Sequence, residues 1–186
     1  MSAAFFVRNR SRMNLVYQGR CWKLDNDISS DELISARHVF EYDPETLRKH
    51  LLAEVRPELA SQAKAGDLIV AGKRFAHGSQ HTHPFLAMRA MGLGLLAHRL
   101  FRPPFRLAIY SGIPLLELSE QALSMFDDGD QMSVDFRTGQ IENITRNQKI
   151  EATPLPDFLL QIVQAGGGLG YLSTAHAASL ETSHDN

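Results

Sequence analysis

The sequence predicts an α/β domain, and three features carry that prediction. Leu68-Ile69-Val70-Ala71-Gly72 is a short apolar run suited to a strand buried on both faces. Residues His83 to Met91 set Leu86, Ala87, Ala90 and Met91 at helical spacing before Gly92, and Leu93 to Ala97 resumes a strand. Strand, helix and strand in that order make the crossover unit of a parallel sheet. Near the C-terminal end, Gln131 to Phe136 and Gln140 to Thr145 alternate about the turn Arg137-Thr138-Gly139, which predicts a β-hairpin.

The remaining elements follow in chain order. Residues 1–14 mix Ser, Arg and Asn with Phe5-Phe6-Val7 and read as an N-terminal arm. A first strand is expected over Leu15 to Lys23. Asp25 to Asp31 is rich in side chains that bond their own backbone, so a structured loop is expected there. Asp43-Pro44 supplies a cap and a first-turn proline for a helix with Leu47, Leu51 and Val55 on one face, ending near Arg56 because Pro57 follows. A short helix from Pro57 to Ala63, the Ala65-Gly66-Asp67 turn and a strand at Leu115 to Leu118 complete the first two thirds. Lys149 to Ala152 adds a third strand to the hairpin, and Pro156 opens an amphipathic helix on Phe158, Leu159, Ile162 and Val163 that closes at Gly166. Residues 173–186 offer little to bury and read as a flexible tail, which leaves one domain over residues 15–172.

Composition narrows the function. With 44% hydrophobic and 22% charged residues the chain has ordinary globular usage. The net charge of -2 supplies no general field for nucleic acid or an anionic membrane; the most basic stretch, with Arg8, Arg10, Arg12 and Arg20, is a contact patch or a solvated arm. No apolar run approaches the roughly 18 residues that span a bilayer, and Met1 to Val7 lacks the layout of a secretory signal, so a cytoplasmic location is expected. Cys21 is the single cysteine, so neither an internal disulfide nor a cluster held by several thiolates of this chain is available.

Chemistry concentrates in Gly72-Lys73-Arg74-Phe75-Ala76-His77-Gly78-Ser79-Gln80-His81-Thr82-His83, which joins a buried strand to a helix. The first turn of a helix offers unpaired N–H groups and partial positive charge to a carboxylate or phosphate. Gly78 permits close approach to the backbone, and Ser79, expected at the helix mouth, is either a ligand-facing hydroxyl or a plain cap. His77, His81 and His83 also invite a metal reading, but His77 and His81 would need a helix running through Gly78, and His81 and His83 face apart in a helix.

Asp27-Ile28-Ser29-Ser30-Asp31-Glu32-Leu33-Ile34 followed by Arg37, Arg56-Pro57-Glu58, Gly66 to Lys73, Gly112-Ile113-Pro114-Leu115-Leu116, Pro154 to Leu160 and Ala165-Gly166-Gly167 resemble, in order and spacing, the small subunit of 3-isopropylmalate dehydratase, over roughly residues 15 to 172. The resemblance implies the swivelling β/β/α fold of the aconitase group and a leucine-biosynthetic hydro-lyase that is active only with a large subunit. It also implies a [4Fe-4S] cluster on that partner, none on this chain, and a small hydroxy dicarboxylic acid as substrate. Isolated, such a subunit is able to self-associate through its partner surface. In the family a Gly-Ser-Ser-Arg-Glu-His loop contributes its first Ser as base and its Arg to a substrate carboxylate. Placed on this chain, the pattern falls on Gly78, Ser79, Gln80, His81, Thr82 and His83, with Ser79 the implied base and Gly78, Gln80 and His81 the implied substrate contacts.

The chain also departs from that pattern. Gln80 replaces the second Ser, His81 the Arg, Thr82 the Glu, and His77 the usual Cys. Arg99 to Leu107, with Pro103-Pro104, stands where the family has Ser-Phe-Ala, and the two prolines are expected to reshape a turn there; Arg102 or Arg106 is available to restore the lost charge. Arg37 and His38 open the segment to which the family's substrate choice is attributed, with Phe40 either facing substrate or in the core. A non-catalytic or regulatory binding module that keeps the fold is the alternative these departures favour.

Overall fold

The computed structural model describes residues 13–182, so most of the N-terminal arm, with Arg8, Arg10 and Arg12, and the last residues of the tail lie outside the described residues. The strands are β1 (Val16–Lys23), β2 (Leu68–Ala71), β3 (Gly94–His98), β4 (Leu115–Leu118), β5 (Gln131–Asp135), β6 (Gln140–Asn143) and β7 (Gln148–Glu151). They form one sheet in the order β4-β3-β2-β1-β5-β6-β7. The four strands from β1 to β4 pair in parallel, and β5, β6 and β7 continue the sheet antiparallel from the other edge of β1. Burial follows the sequence pattern. β2, apolar at every position, is buried at every position, whereas β5 and β6 alternate and bury one face.

β1 is fixed between the two halves of the sheet by a buried carboxylate. Asp67 accepts hydrogen bonds from Trp22 Nε1 at 2.9 Å, from the Arg20 backbone N–H at 2.8 Å and from the Lys64 N–H at 2.9 Å. This sets the register that puts Cys21 opposite Leu68. Over the Trp22 ring, 5.5 Å from its centroid, the Arg56 guanidinium donates to the Lys23 carbonyl and to Asp128 and pairs with Glu58. The Arg56-Pro57-Glu58 motif is thus a structural clamp in this fold.

The helices are α1 (Ser30–Leu33), α2 (Pro44–Leu47), α3 (Leu59–Gln62), α4 (His83–Ala90), α5 (Arg102–Ser111), α6 (Glu120–Leu123), α7 (Asp157–Gln164) and α8 (Gly168–Thr182). Two of them correct the sequence expectations. The single helix expected from Pro44 to Arg56 is broken: a 3-10 turn follows α2, and Leu52 takes φ 55° so that its N–H donates to the Leu33 carbonyl at 2.7 Å. Leu47, Leu51 and Leu52 are all fully buried. Pro103 and Pro104 do not reshape a turn but begin α5, because first-turn positions need no N–H; Gly112 closes that helix at φ 79°. α8 runs on through residues 173–182 and packs on α5 and α7, with Tyr171 edge-on to Phe158 at 5.8 Å. Among the described residues no helix is long and apolar enough to cross a membrane.

Candidate functional site

The loop between β2 and α4 is stapled along its length to the loop after β1. The Asp27 N–H donates to the Lys73 carbonyl, the Ala76 N–H to the Ile28 carbonyl and the Ser30 N–H to the His77 carbonyl, each at 2.8 Å. Ser29 and His77 form an isolated parallel bridge, His77 Nε2 lies 3.1 Å from the Asp27 carbonyl, and Arg74 pairs with Asp27. The Arg74 guanidinium holds the Asp27 carboxyl below the usual carboxylate range. Asp27, Ser29 and Ser30 have this geometry because a capping box closes α1: the Ser29 hydroxyl accepts from Glu32 N–H, and Glu32 accepts from Ser29 N–H at 2.7 Å. Their abundance of backbone-bonding side chains signalled a structured loop, but nothing in the sequence named its partner.

Ser30 is the residue that sequence reasoning missed at the site. It is buried, and its hydroxyl donates to the Ser79 carbonyl at 2.5 Å. Gly78 stands beside it at φ 90°, a conformation that costs other residues strain, and Arg74 and Ala76 also take positive φ in this short stretch. Ser79 itself is exposed. Gln80 is exposed too, but its side-chain amide turns back onto the Gly78 carbonyl at 2.8 Å.

The expected placement of Ser79 at the helix mouth is corrected. α4 begins at His83, with Thr82 as its N-cap and Pro84 in its first turn, so Ser79 lies on the approach to the helix. Thr82 makes no side-chain capping hydrogen bond and the first turn carries no acid, which leaves the positive end of α4 open to an anion. The expectation that His81 and His83 face apart is also corrected. His81 precedes the helix, its ring is free to turn back, and the two Nδ1 atoms meet at 3.2 Å. His83 is buried and its ring packs 4.9 Å from Tyr42. Burial, and then the neighbouring His83, lower the pKa of His81, while Asp31 opposes them.

Arg37 and His38 occupy a neighbouring region. Arg37 donates to Ser35 Oγ at 3.0 Å and pairs with Glu54 at 2.6 Å, and His38 stacks on His50 with centroids 3.8 Å apart. Together with Ser35 they line a small hollow. No hydrogen bond or ion pair joins Arg37 or His38 to Gly78, Ser79, Gln80 or His81 among the described residues. Phe40 is 92% exposed, which excludes it from the core. Arg102 and Arg106 lie exposed on α5.

Among the described residues no three His, Cys, Asp or Glu side chains are arranged to hold a metal ion. The one cysteine does not fit a cluster: Cys21 is buried in β1, and burial, followed by the Asp128 and Asp130 charges, pushes its thiol up to about 12.

No family model matches the chain. Curated relatives do. Over 156 residues, 83% of this chain and 91% of the relative, it is 38% identical to 3-isopropylmalate dehydratase small subunit 1 of Methanopyrus kandleri. It is 39% identical to the protein of the same description from Archaeoglobus fulgidus, over 80% of this chain and 92% of the other. The isopropylmalate/citramalate isomerase small subunit of Methanocaldococcus jannaschii is 33% identical over 90% of this chain and 99% of its own length. In three dimensions the chain superposes on a crystal structure of 3-isopropylmalate dehydratase from Methanocaldococcus jannaschii with a TM-score of 0.83 and 25% identity, covering 90% of this chain and 99% of the other. That likeness shows the swivel-type fold.

Proposed function

The chain belongs to the family of 3-isopropylmalate dehydratase small subunits, and from that premise we propose that it completes, on a companion large subunit, an active site that dehydrates and rehydrates a hydroxy dicarboxylic acid of the isopropylmalate and citramalate class. The observation that carries this reading is the Gly78-Ser79 turn: an exposed hydroxyl on a backbone locked from below by Ser30 and Ile28. In the proposed reaction Ser79 acts as an alkoxide whose Oγ takes the proton from the substrate carbon next to a carboxylate, becoming the hydroxyl, and returns it in the reverse step. The uncapped N-terminus of α4 and the N–H groups of the loop orient a substrate carboxylate. An iron–sulfur cluster on the large subunit supplies Lewis acidity toward the departing hydroxyl. This chain contributes the proton-handling oxygen, the anion seat and the cover that excludes water.

The test is to assemble the purified chain with its large subunit, reconstitute the cluster anaerobically and follow alkene absorbance. Ser79→Ala is expected to lower turnover by about 10²- to 10⁴-fold with assembly intact. Turnover unchanged in that variant would remove Ser79 from the reaction. The second reading, a non-catalytic module, is favoured by His81 in place of a permanently charged side chain; assembly without turnover by the unaltered chain is its signature.

A further inference from the structure

Two imidazole nitrogens 3.2 Å apart can share only one hydrogen. The neutral pair therefore has one ring donating from Nδ1 and the other accepting at Nδ1 with its own proton on Nε2. A first extra proton goes to the free Nε2 of the donor ring; the shared hydrogen bond survives and gains charge assistance. A second extra proton would place hydrogens on both Nδ1 atoms and break the contact. The pair has room for one positive charge.

Its surroundings disfavour that charge in the absence of an anion. Both Nε2 atoms are buried and have no hydrogen-bond partner among the described residues, and His83 is 3% exposed. The groups facing the pair are the Tyr42 ring against His83, Asp31 of α1 acting on His81, and the positive N-terminus of α4, which opposes a cation. Burial and the second ring hold His81 low, and Asp31 alone favours its charged form.

We propose that His81 and His83 form a single-proton acid sensor in the substrate site: His83 is a positioning residue that holds the loop imidazole of His81, and binding of a substrate carboxylate draws one proton from solvent onto the pair. The proposal rests on the dehydratase reading for the identity of the acid, but the pairing itself does not. It gives the site an affinity that rises as pH falls, which a guanidinium at position 81 would not confer.

Two measurements test it. In the free chain labelled at histidine, NMR titration should show His81 and His83 taking up protons in two well-separated steps. In His83→Gln, His81 should titrate in one step at higher pH than in the pair, with burial still lowering it; His81→Gln read at His83 serves if that variant fails to fold. Identical titration of His81 with and without His83 would overturn the coupling. In the assembled complex, calorimetry in buffers of different ionisation enthalpy should give uptake of nearly one proton per dicarboxylate bound at pH 7.5, falling to none in His81→Arg. Equal uptake in the two complexes, or none in either, would overturn the sensor. A complex that binds no dicarboxylate at any pH while the free chain keeps its coupled titration would overturn the dehydratase reading and, with it, the pair's role toward substrate.

Discussion

Ser30→Ala removes the hydroxyl that supports the Ser79 carbonyl. Ser30 is 3% exposed and its Oγ donates at 2.5 Å. A neutral hydrogen bond contributes about 0.5–1.5 kcal/mol net, and leaving a desolvated acceptor behind would cost more. The bond is part-buried on an exposed residue, so the second penalty is reduced. The expected loss is therefore about 1 kcal/mol, roughly a fivefold shift in an opening equilibrium. The backbone struts from Ser30 N–H to His77 and from Ala76 N–H to Ile28 remain, so the fold stays and the loop loosens. Native-state hydrogen exchange should show the Ser30 and Ala76 amides exchanging about fivefold faster, with the amides of β2 and β3 less affected. Turnover of the assembled complex should fall by at least the same factor, since Ser79 must be held to act. Unaltered exchange at both loop amides, with a native spectrum otherwise, would refute the assignment of Ser30 as the support.

Three further outcomes are expected. Asp67→Ala should cost about 3 kcal/mol or more in urea unfolding, because it withdraws the acceptor of three hydrogen bonds and leaves Trp22 Nε1 buried without a partner; a loss below about 1 kcal/mol would contradict that role. Burial alone would raise the Asp130 carboxyl, yet hydrogen bonds from the Asp127 N–H, Asn143 and Arg146 hold it below the usual carboxylate range. In the pH interval between its folded and unfolded values the unfolded chain binds more protons, so its contribution is present above that interval and lost on acidification through it. Arg146→Gln should flatten this acid-side fall in stability, and an identical pH profile would count against it. Cys21, with its thiol pushed up to about 12, should react with iodoacetamide only as fast as the chain unfolds; rapid labelling of the native protein would contradict its burial.

Much of the framework was legible because local chemistry and tertiary packing agree there. Leu115 to Leu118 forms the strand its apolar run predicts, and the hairpin turns at Arg137-Thr138-Gly139 as its alternation requires. The break at Leu52 was hidden because the Pro44 to Arg56 pattern is helical by spacing; the hydrogen bond to Leu33 that ends the helix is made across the fold. Pro103-Pro104 misled because proline breaks a helix interior yet begins a helix, and only position separates the two. At the site, Gly78 announced its turn. Ser30 was invisible as a support because its partner lies on another loop, and the His81 to His83 contact contradicts the helical spacing that the sequence suggested.

β1 pairs at one edge with β2 and at the other with β5, so among the strands of the described residues it is made first and waits longest for its second neighbour. Until Gln131 to Asp135 has been synthesised, the peptide groups along that side of Val16–Lys23 stay unpaired and open to another chain's strand. Productive assembly in a cell therefore depends on how quickly translation delivers the C-terminal third, and slowed synthesis across residues 100–130 should raise the aggregated fraction without altering the native state.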